Sequence, residues 1–380
     1  MNLEPYPIIE LVVKIASRCN LNCTYCYEYN QGDDSWKKAS KFMSTETAIQ
    51  LGKRIQEHIS EHKLKEYNIG LHGGEPLLMS PKKIDELTTC IKNQIDPNIN
   101  LFFGMQTNGA LITKEHIKIL KKHNICISVS LDGLKKTNDK FRVDLKGRSS
   151  WDRVITGINL LVSEAPELFK GVLSVIDIDA DPLETFDFLA SFDVDIDFLL
   201  PLHTFDKPPY YPNNKKNAYG EWYFEIYKAW INGRNSHIDV RFIKNIVVQL
   251  MGGSAIYEVM TSSPIGLLTI STDGGIEGVD CLKVTGRGTQ ITGLNIFENS
   301  LTDSLSNELV KLRQSGISDL HNKCKSCKYL YGCAGGYFPN RYSDKDGFNN
   351  PSVYCDDLFW LLSSIENDLL KRTKNERATI

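Results

Sequence analysis

The sequence predicts an α/β fold built on parallel strands. Residues 8 to about 202 alternate short apolar runs with longer amphipathic ones. Strands are predicted at 8–16, 66–72, 99–107, 125–131, 170–177 and 195–202, and helices at 44–62, 81–95, 113–123, 150–164 and 182–192. Six strands with intervening helices indicate βα units, which form a closed or open barrel or a doubly wound sheet.

Local sequence features support individual strands and helices of this prediction. The run from Ile8 to Ile15 is apolar and β-branched, as buried strands are. Residues Ser44 to Thr47 are typical of a helix cap, and Pro81 suits the first turn of a helix. Asn138 to Arg142 are expected to lie on a loop after the fourth strand.

Beyond the sixth strand the pattern changes. Residues 203–218, rich in Pro, Asn and Lys, are predicted to form a linker or lid, followed by helices at about 219–232 and 237–251. A β-hairpin is predicted over 266–277 with Asp273-Gly274 at its turn, and a helix near 303–314. The predicted segments are a parallel-strand domain over 1–205, a linker and helical bridge over 206–264, and an α+β domain over 265–380 that ends in a helix.

The composition excludes several classes of protein. The chain has 380 residues, 41% of them hydrophobic, and a formal net charge of -3. The chain has no basic stripe of the kind that binds nucleic acid, and no polybasic helix or long apolar run of the kind that binds or spans a membrane. Met1–Pro5 lacks the features that begin a signal peptide, so we expect a cytoplasmic protein. The ten cysteines therefore indicate metal binding or catalysis rather than disulfides, although Cys90 and Cys126 stand alone and are expected to be buried.

Three cysteines follow the first predicted strand at Cys19-x3-Cys23-x2-Cys26. We call residues 17–27 the three-cysteine loop. Structural zinc takes four protein ligands, and a [4Fe–4S] cluster normally takes four cysteines. Three thiolates on a loop at a strand end therefore indicate a cluster with one iron left open to another ligand.

The spacing of these cysteines, with Tyr25 before the last one, resembles the radical S-adenosylmethionine (SAM) superfamily. The second strand ends in Gly73-Gly74-Glu75-Pro76, which is similar to the family's SAM-binding motif. The resemblance implies a partial (β/α)6 TIM barrel. It also implies a [4Fe–4S] cluster on Cys19, Cys23 and Cys26 that splits SAM into methionine and a 5′-deoxyadenosyl radical.

Polar residues at further strand ends match the same resemblance. Alternation along residues 127–133 places Ser128, Ser130 and Asp132 on one face of the fourth strand. The resemblance implies that these side chains bind SAM, that Asn108 lies beside them after the third strand, and that Arg142 pairs with the SAM carboxylate. The cofactor-binding set is thus Tyr25, Gly73, Gly74, Glu75, Pro76, Asn108, Ser128, Ser130, Asp132 and Arg142.

A second group of cysteines follows the pattern Cys324-x2-Cys327-x5-Cys333, with Cys355 further on. We call these four residues the four-cysteine site. Four thiolates close a site, and their spacing alone leaves zinc and [4Fe–4S] open. The pattern resembles the SPASM extension of radical SAM enzymes, which implies an auxiliary [4Fe–4S] cluster. SPASM domains carry seven cysteines and two such clusters, but here Tyr337 replaces one cysteine and Cys281 is isolated, so one auxiliary cluster is expected.

Residues 270–283 and 333–358 resemble the cyclophane-forming (triceptide) peptide maturases. That resemblance implies a ribosomally synthesised precursor peptide as substrate and a bond from an aromatic ring carbon to the Cβ two residues later. It also implies an external one-electron reductant of the flavodoxin or ferredoxin type. Asp280, between a hairpin and Cys281, is the candidate catalytic base.

Two alternatives stay open. One is a different radical SAM/SPASM reaction, such as thioether formation, decarboxylation or Ser/Cys oxidation in a sulfatase, although the missing second auxiliary cluster argues against sulfatase maturation. The other is a non-catalytic metal-binding peptide adaptor, against which the three-cysteine loop argues because a structural site would want a fourth ligand.

Overall fold

The computed structural model describes residues 5–253, 258–286 and 288–378, with side chains through residue 374. Residues 1–4, which carry most of the expectation about a signal peptide, and 254–257 of the predicted bridge lie outside the described residues. The chain divides into two compact units. The first contains Met1–Leu131, Lys135–Leu173 and Ile265–Gln314, and the second contains Asp132–Leu134, Ser174–Pro264 and Ser315–Ile380.

A parallel sheet forms the centre of the first unit. Its parallel strands are β1 (Glu10–Ala16), β2 (Glu66–Gly73), β3 (Asn100–Thr107), β4 (Ile125–Ser130) and β5 (Phe169–Val175), the last of which ends in the second unit. Each pairs in parallel with the next along the chain. The strands therefore end at the same edge, as in α/β enzymes whose sites lie at the carboxyl ends of strands.

Helices connect these strands, and four of the five lie where the sequence predicts. They are α1 (Thr45–His62), α2 (Pro81–Lys92), α3 (Lys114–His123), α4 (Lys135–Phe141) and α5 (Trp151–Glu164). Ser44 caps α1, since its side chain accepts a hydrogen bond from the Thr47 amide. Pro81 begins α2, where its missing amide hydrogen costs no helical bond. The α/β class with parallel strands is confirmed.

The predicted hairpin belongs to the same sheet. β7 (Leu267–Ile270) pairs antiparallel with β8 (Gly275–Glu277), which pairs with β9 (Ile291–Asn295). Gly274 adopts a φ of +85° at the turn, a conformation that favours glycine. β7 also pairs in parallel with β1, so residues 265–314 cluster with the barrel strands rather than with the remainder of the predicted 265–380 domain.

The second unit holds the remaining elements. They are α6 (Pro182–Ala190), β6 (Asp195–Leu199), α7 (Ala218–Ile231), α8 (Arg241–Leu250), α10 (Asn322–Lys325), α11 (Leu330–Cys333) and α12 (Cys355–Ala378), while α9 (Glu308–Gln314) lies in the first unit. Asp357 ties α12 to α7, because its Oδ1 accepts hydrogen bonds from the amides of Tyr219 and Gly220 at 2.9 and 3.1 Å.

Four local predictions were wrong or incomplete. Asn138 to Phe141 form part of α4 instead of a loop, because buried Asn138 anchors a polar segment that has no apolar period. The helix predicted near 303–314 is a 3-10 turn at Asp303–Ser306 followed by α9. β9 was not predicted. Cys90 and Cys126 are half-buried rather than buried. Within the described residues, no helix combines the length and apolar character needed to cross a bilayer.

Candidate active site and cysteine centres

Backbone hydrogen bonds hold the three-cysteine loop at the carboxyl end of β1. The amides of Asn22 and Thr24 donate to the carbonyls of Val143 and Phe141 at 2.8 and 3.0 Å. Within the loop, the Cys26 amide donates to the Cys23 carbonyl at 3.0 Å. The end of α4 and Val143 just after it therefore support the middle of the loop, and the positions of the three cysteines depend on tertiary contacts.

The glycine pair at the end of β2 allows this loop to pack directly on the strand. Gly73 adopts a φ of +156°, and a Cβ there would lie 2.1 Å from the Ala16 carbonyl oxygen. A Cβ on Gly74 would lie 1.9 Å from the Tyr29 hydroxyl and 2.5 Å from the Arg18 carbonyl oxygen. Both glycines are thus needed for the chain's own close packing, in addition to any contact with a ligand.

Glu75 joins the ends of β2 and β3. Its carboxylate is fully buried and accepts hydrogen bonds from the Leu77 amide at 2.9 Å, the Thr107 hydroxyl at 2.6 Å and the Asn108 amide at 2.8 Å. Burial raises its pKa, while these donors and Arg142 oppose the rise. The adjoining Pro76 begins a 3-10 turn that Glu75 caps. Glu75 therefore already has a structural role.

Three further predicted residues meet at the same edge. Arg142 is 6% exposed and donates from Nη1 to the Tyr25 hydroxyl at 2.7 Å. The Asn108 side chain donates to the Asn20 side-chain oxygen at 2.8 Å and lies 3.7 Å from the Cys19 sulfur. The structure thus brings Tyr25, Asn108, Arg142 and the three-cysteine loop together.

The structure confirms that Ser128 and Ser130 lie on the same face of β4. Ile127 and Val129 are fully buried, whereas Ser128 and Ser130 are half-buried on the opposite side. Ser130 accepts a hydrogen bond from the Gln106 amide group of β3 at 2.8 Å. Asp132 falls in the second unit, where its carboxylate accepts from the Val175 amide at 3.1 Å.

The chemistry of the loop thiols fits a cationic centre. Burial raises the pKa of Cys19 and of Cys26 to about 12. At neutral pH such thiols stay protonated unless a cation, such as a bound metal centre, offsets the buried charge. The Leu21 amide donates to the Cys19 sulfur at 3.3 Å, a contact that would stabilise a thiolate. The residues present therefore fit a cluster held by three thiolates.

The four-cysteine site surrounds one cavity in the second unit. Cys324 lies in α10, Cys333 ends α11 and Cys355 begins α12, with Cys327 between the first two helices. All four line a cavity of about 480 Å³. Burial raises the pKa of Cys333 to about 12, and the Tyr329 amide donates to the Cys327 sulfur at 3.4 Å.

The donor set of this site fits two kinds of centre. Structural zinc takes four protein ligands, and a [4Fe–4S] cluster takes four thiolates. The four thiols that line this cavity therefore suit either group.

Arg341 supports the turn that follows Cys333. Its Nη2 donates to the carbonyls of Ala334 and Gly336 at 2.6 and 2.7 Å. Ala334 adopts a φ of +47°, an uncommon value outside glycine, followed by two left-handed glycines. Burial lowers the pKa of Arg341, and Cys333 and Cys324 oppose that change, so the guanidinium lies within the field of these thiols.

Asp280 lies in a buried group of charges that sequence reasoning missed. Its Oδ2 accepts a hydrogen bond from the Tyr27 hydroxyl at 3.1 Å and lies 3.8 Å from the Lys14 Nζ. Burial raises the pKa of Asp280, but Lys14, His72 and other neighbours more than offset this and lower it. Asp280 is therefore a carboxylate near neutral pH. A lysine inside the apolar run of β1 was the available signal.

Comparison with known protein families identifies the segment that carries the parallel strands. The model of the radical SAM superfamily matches residues 13–189, which include the three-cysteine loop and the end of β2. The matched segment is a radical SAM domain.

Curated and solved relatives extend beyond this domain. A cysteine-type anaerobic sulfatase-maturating enzyme of Clostridium novyi is 23% identical over 91% of this chain and 92% of its own. The radical SAM cyclopropyl synthase TigE of Paramaledivibacter caminithermalis is 26% identical over 87% of this chain and 68% of its own. The structure of native anSMEcpe with bound AdoMet and the Cp18Cys peptide has a TM-score of 0.77 at 20% identity, covering 95% of this chain and 99% of that one. The likeness confirms the radical SAM fold.

Proposed function

We propose that this radical SAM enzyme is a peptide maturase that forms a cyclophane. It joins an aromatic ring carbon of a ribosomally synthesised precursor peptide to the Cβ of a residue two positions later. The observation that carries the proposal is Asp280, an ionised buried carboxylate hydrogen-bonded to Tyr27, which directly follows Cys26. Substitution on an aromatic ring requires a base for the ring proton, and this carboxylate is tied to the loop that would generate the radical.

The cofactors supply the difficult chemistry. SAM bound at a [4Fe–4S] cluster on Cys19, Cys23 and Cys26 provides a 5′-deoxyadenosyl radical, and an external flavodoxin- or ferredoxin-type reductant provides the electron. Cys324, Cys327, Cys333 and Cys355 would hold an auxiliary [4Fe–4S] cluster. In this proposal the chain's own task is to orient SAM and peptide, exclude water and take up the ring proton at Asp280.

The residues proposed to bind SAM follow the strand ends. Arg142 would pair with its carboxylate, because a buried guanidinium suits a planar anion. The amino group of SAM would contact the segment formed by Gly73, Gly74, Glu75 and Pro76. The remaining contacts are proposed for Tyr25, Asn108, Ser128, Ser130 and Asp132.

Further parts of the proposal follow from the sequence. The domains would be a barrel over 1–205, a bridge over 206–264 and a SPASM-like domain over 265–380. We expect the enzyme to work in the cytoplasm, on a peptide and without nucleic acid or membrane.

The deciding experiment is co-expression with a candidate precursor peptide followed by mass spectrometry. We expect loss of two hydrogens, with fragmentation blocked between an aromatic residue and the residue two positions later. Asp280→Asn is the matched variant, because it keeps the size of the side chain and removes its basicity. It should still release 5′-deoxyadenosine while yielding little crosslinked peptide. Unimpaired crosslinking by this variant would contradict the role of Asp280.

Sulfatase-type oxidation of Ser or Cys is the second candidate, because curated relatives carry that activity in their names. Oxidation of serine to formylglycine also removes two hydrogens, so intact mass alone does not separate the reactions. The two products differ in reactivity: formylglycine is an aldehyde that forms a hydrazone, whereas a C–C crosslink does not. A hydrazide-reactive product on a sulfatase peptide would replace the cyclophane proposal.

A further inference from the structure

Five charged side chains form one buried cluster beside the three-cysteine loop. The cluster contains two lysines and three carboxylates, each less than a tenth exposed: Lys14, Glu28, Glu277, Asp280 and Lys283. They come from β1, the segment after Cys26, β8 and the 3-10 turn Asp280–Thr285. Lys14 is central, because it forms ion pairs with Glu28, with Glu277 at 3.3 Å and with Asp280 at 3.8 Å.

Stability alone is a weak reason for such a cluster. Burying an ion costs several kcal/mol, and replacing buried ion pairs with apolar side chains is often neutral or stabilising. Three carboxylates against two lysines also leave a net negative charge inside the unit. A cluster of this kind therefore calls for a role in moving or holding charge.

The cluster borders a cavity that Asp280 does not line. This cavity has a volume of about 460 Å³ and is open to solvent. Its lining includes Lys14, Glu28, Glu277 and Lys283 but not Asp280. Lys14 contacts Asp280 and also borders the cavity, so it connects the carboxylate with solvent.

We propose that Lys14 and Glu277 form a proton path from Asp280 to this cavity. The inference rests on the proposed function, in which Asp280 takes a proton in every turnover. One substrate hydrogen leaves as an atom to the 5′-deoxyadenosyl radical, and the C–C bond forms. The ring carbon then loses its proton to Asp280, and an oxidised cluster on the four-cysteine site would accept the remaining electron. Lys14 passes a proton to Glu277 and takes the one from Asp280, and Glu277 releases its proton to water.

The charges around the two carboxylates favour Glu277 as the destination of the proton. Burial lowers the pKa of Lys14, but Glu28, Glu277 and Asp280 outweigh burial and raise it, so Lys14 releases one proton only as it takes up the other. Burial raises the pKa of Glu277, and the two lysines only partly offset the rise. The pKa of Asp280 is lowered, so Glu277 holds a proton more tightly than Asp280 does. The titratable groups that face Asp280 from the surrounding elements are Lys14, Tyr27, His72, Glu277 and Lys283.

Two variants separate the path from a structural ion cluster. Lys14→Met removes the ammonium group that connects Asp280 with Glu277. Glu277→Gln keeps the shape of the side chain but removes its ability to accept a proton. Both should lower crosslinked product about tenfold or more, a typical effect of losing acid–base help, while 5′-deoxyadenosine forms at near the normal rate. Lys38→Met is the control, because Lys38 lines the same cavity on its exposed side.

The pH profile of product formation distinguishes the two residues. Without Lys14, Asp280 should be harder to ionise, so the acidic limb of the profile should move to higher pH. Glu277→Gln removes a negative neighbour and should not move that limb upward. Lys14→Arg keeps the charge beside Asp280 but cannot release a proton, so it should restore the acidic limb while crosslinked product stays low. It provides the test if Lys14→Met does not fold by circular dichroism, and full product formation by Lys14→Arg would then overturn the path.

Unchanged coupling of SAM cleavage to product in both Lys14→Met and Glu277→Gln would overturn the path. A different observation would contradict the proposed function, namely a wild-type product without a C–C bond to the aromatic ring. Because the wild-type product is identified first, the two failures are distinguishable.

Discussion

The three-cysteine loop and the four-cysteine site use similar sulfur chemistry in opposite settings. In the first, the loop is held by backbone hydrogen bonds to Phe141 and Val143 and by its close packing on Gly73 and Gly74 at the end of β2. In the second, short helices and the start of α12 carry the thiols, and all four thiols line one cavity. Both include an amide that donates to a cysteine sulfur. The difference lies in the number of thiols, because three would leave a bound cluster with one open iron and four would close it.

The largest expected effect tests the open centre. Replacing Cys19, Cys23 and Cys26 with Ala should abolish formation of 5′-deoxyadenosine, because no iron would remain to bind SAM. Chromatography of reactions with excess dithionite measures the nucleoside. Iron at the four-cysteine site should persist, at about four atoms per chain. Continued SAM cleavage would refute the assignment of the open centre.

The next effect tests how the loop is held. Gly74→Ala places a methyl group 2.5 Å from the Arg18 carbonyl oxygen and even closer to Tyr29, so the loop must shift. SAM cleavage should fall about tenfold or more, since small displacements of reacting groups are costly. Gly104→Ala is the control, because its added Cβ would have no neighbour within 4 Å. Equal activities of the two variants would count against this account of packing.

A smaller effect tests the closed centre. Wild-type enzyme with both clusters should contain about eight iron atoms per chain, and Cys355→Ala should lose about half of them. Its SAM cleavage should stay within about threefold of wild type, because the open centre is untouched. Iron and sulfide analysis after anaerobic reconstitution gives the count. Zinc in place of iron in the wild-type protein would contradict the auxiliary cluster.

The smallest effect concerns Arg341. Arg341→Met removes a cation beside Cys333 and Cys324, which should make the auxiliary centre harder to reduce by tens of millivolts, on the order expected from charge. Redox titration followed by electron paramagnetic resonance measures this potential. The potential of the open centre should not move, and Arg341→Lys should recover part of the shift. A shift at both centres would indicate a general change in folding.

Much of the fold and the grouping of the cysteines could be predicted from local sequence patterns. The parallel strands follow from apolar runs between amphipathic helices, and Ser128 and Ser130 share a face because strand side chains alternate. The cysteine spacings predicted that Cys324, Cys327, Cys333 and Cys355 group together, and these four thiols line one cavity. In contrast, α4 escaped prediction, because its polar residues form a helix around the buried Asn138. The parallel pairing of β7 with β1 also escaped, since it joins strands more than 250 residues apart.

The sequence by itself determined the α/β class, the order of strands β1 to β6 and the grouping of the cysteines. These properties depend on neighbouring residues and their period. Only the tertiary structure showed that Lys283 pairs with Glu28 across 255 positions, that Lys14 reaches Asp280, and that Glu75 serves the chain's own amides. Charges pair across space regardless of their separation in sequence, and burial, which sets their energies, exists only once the chain has folded.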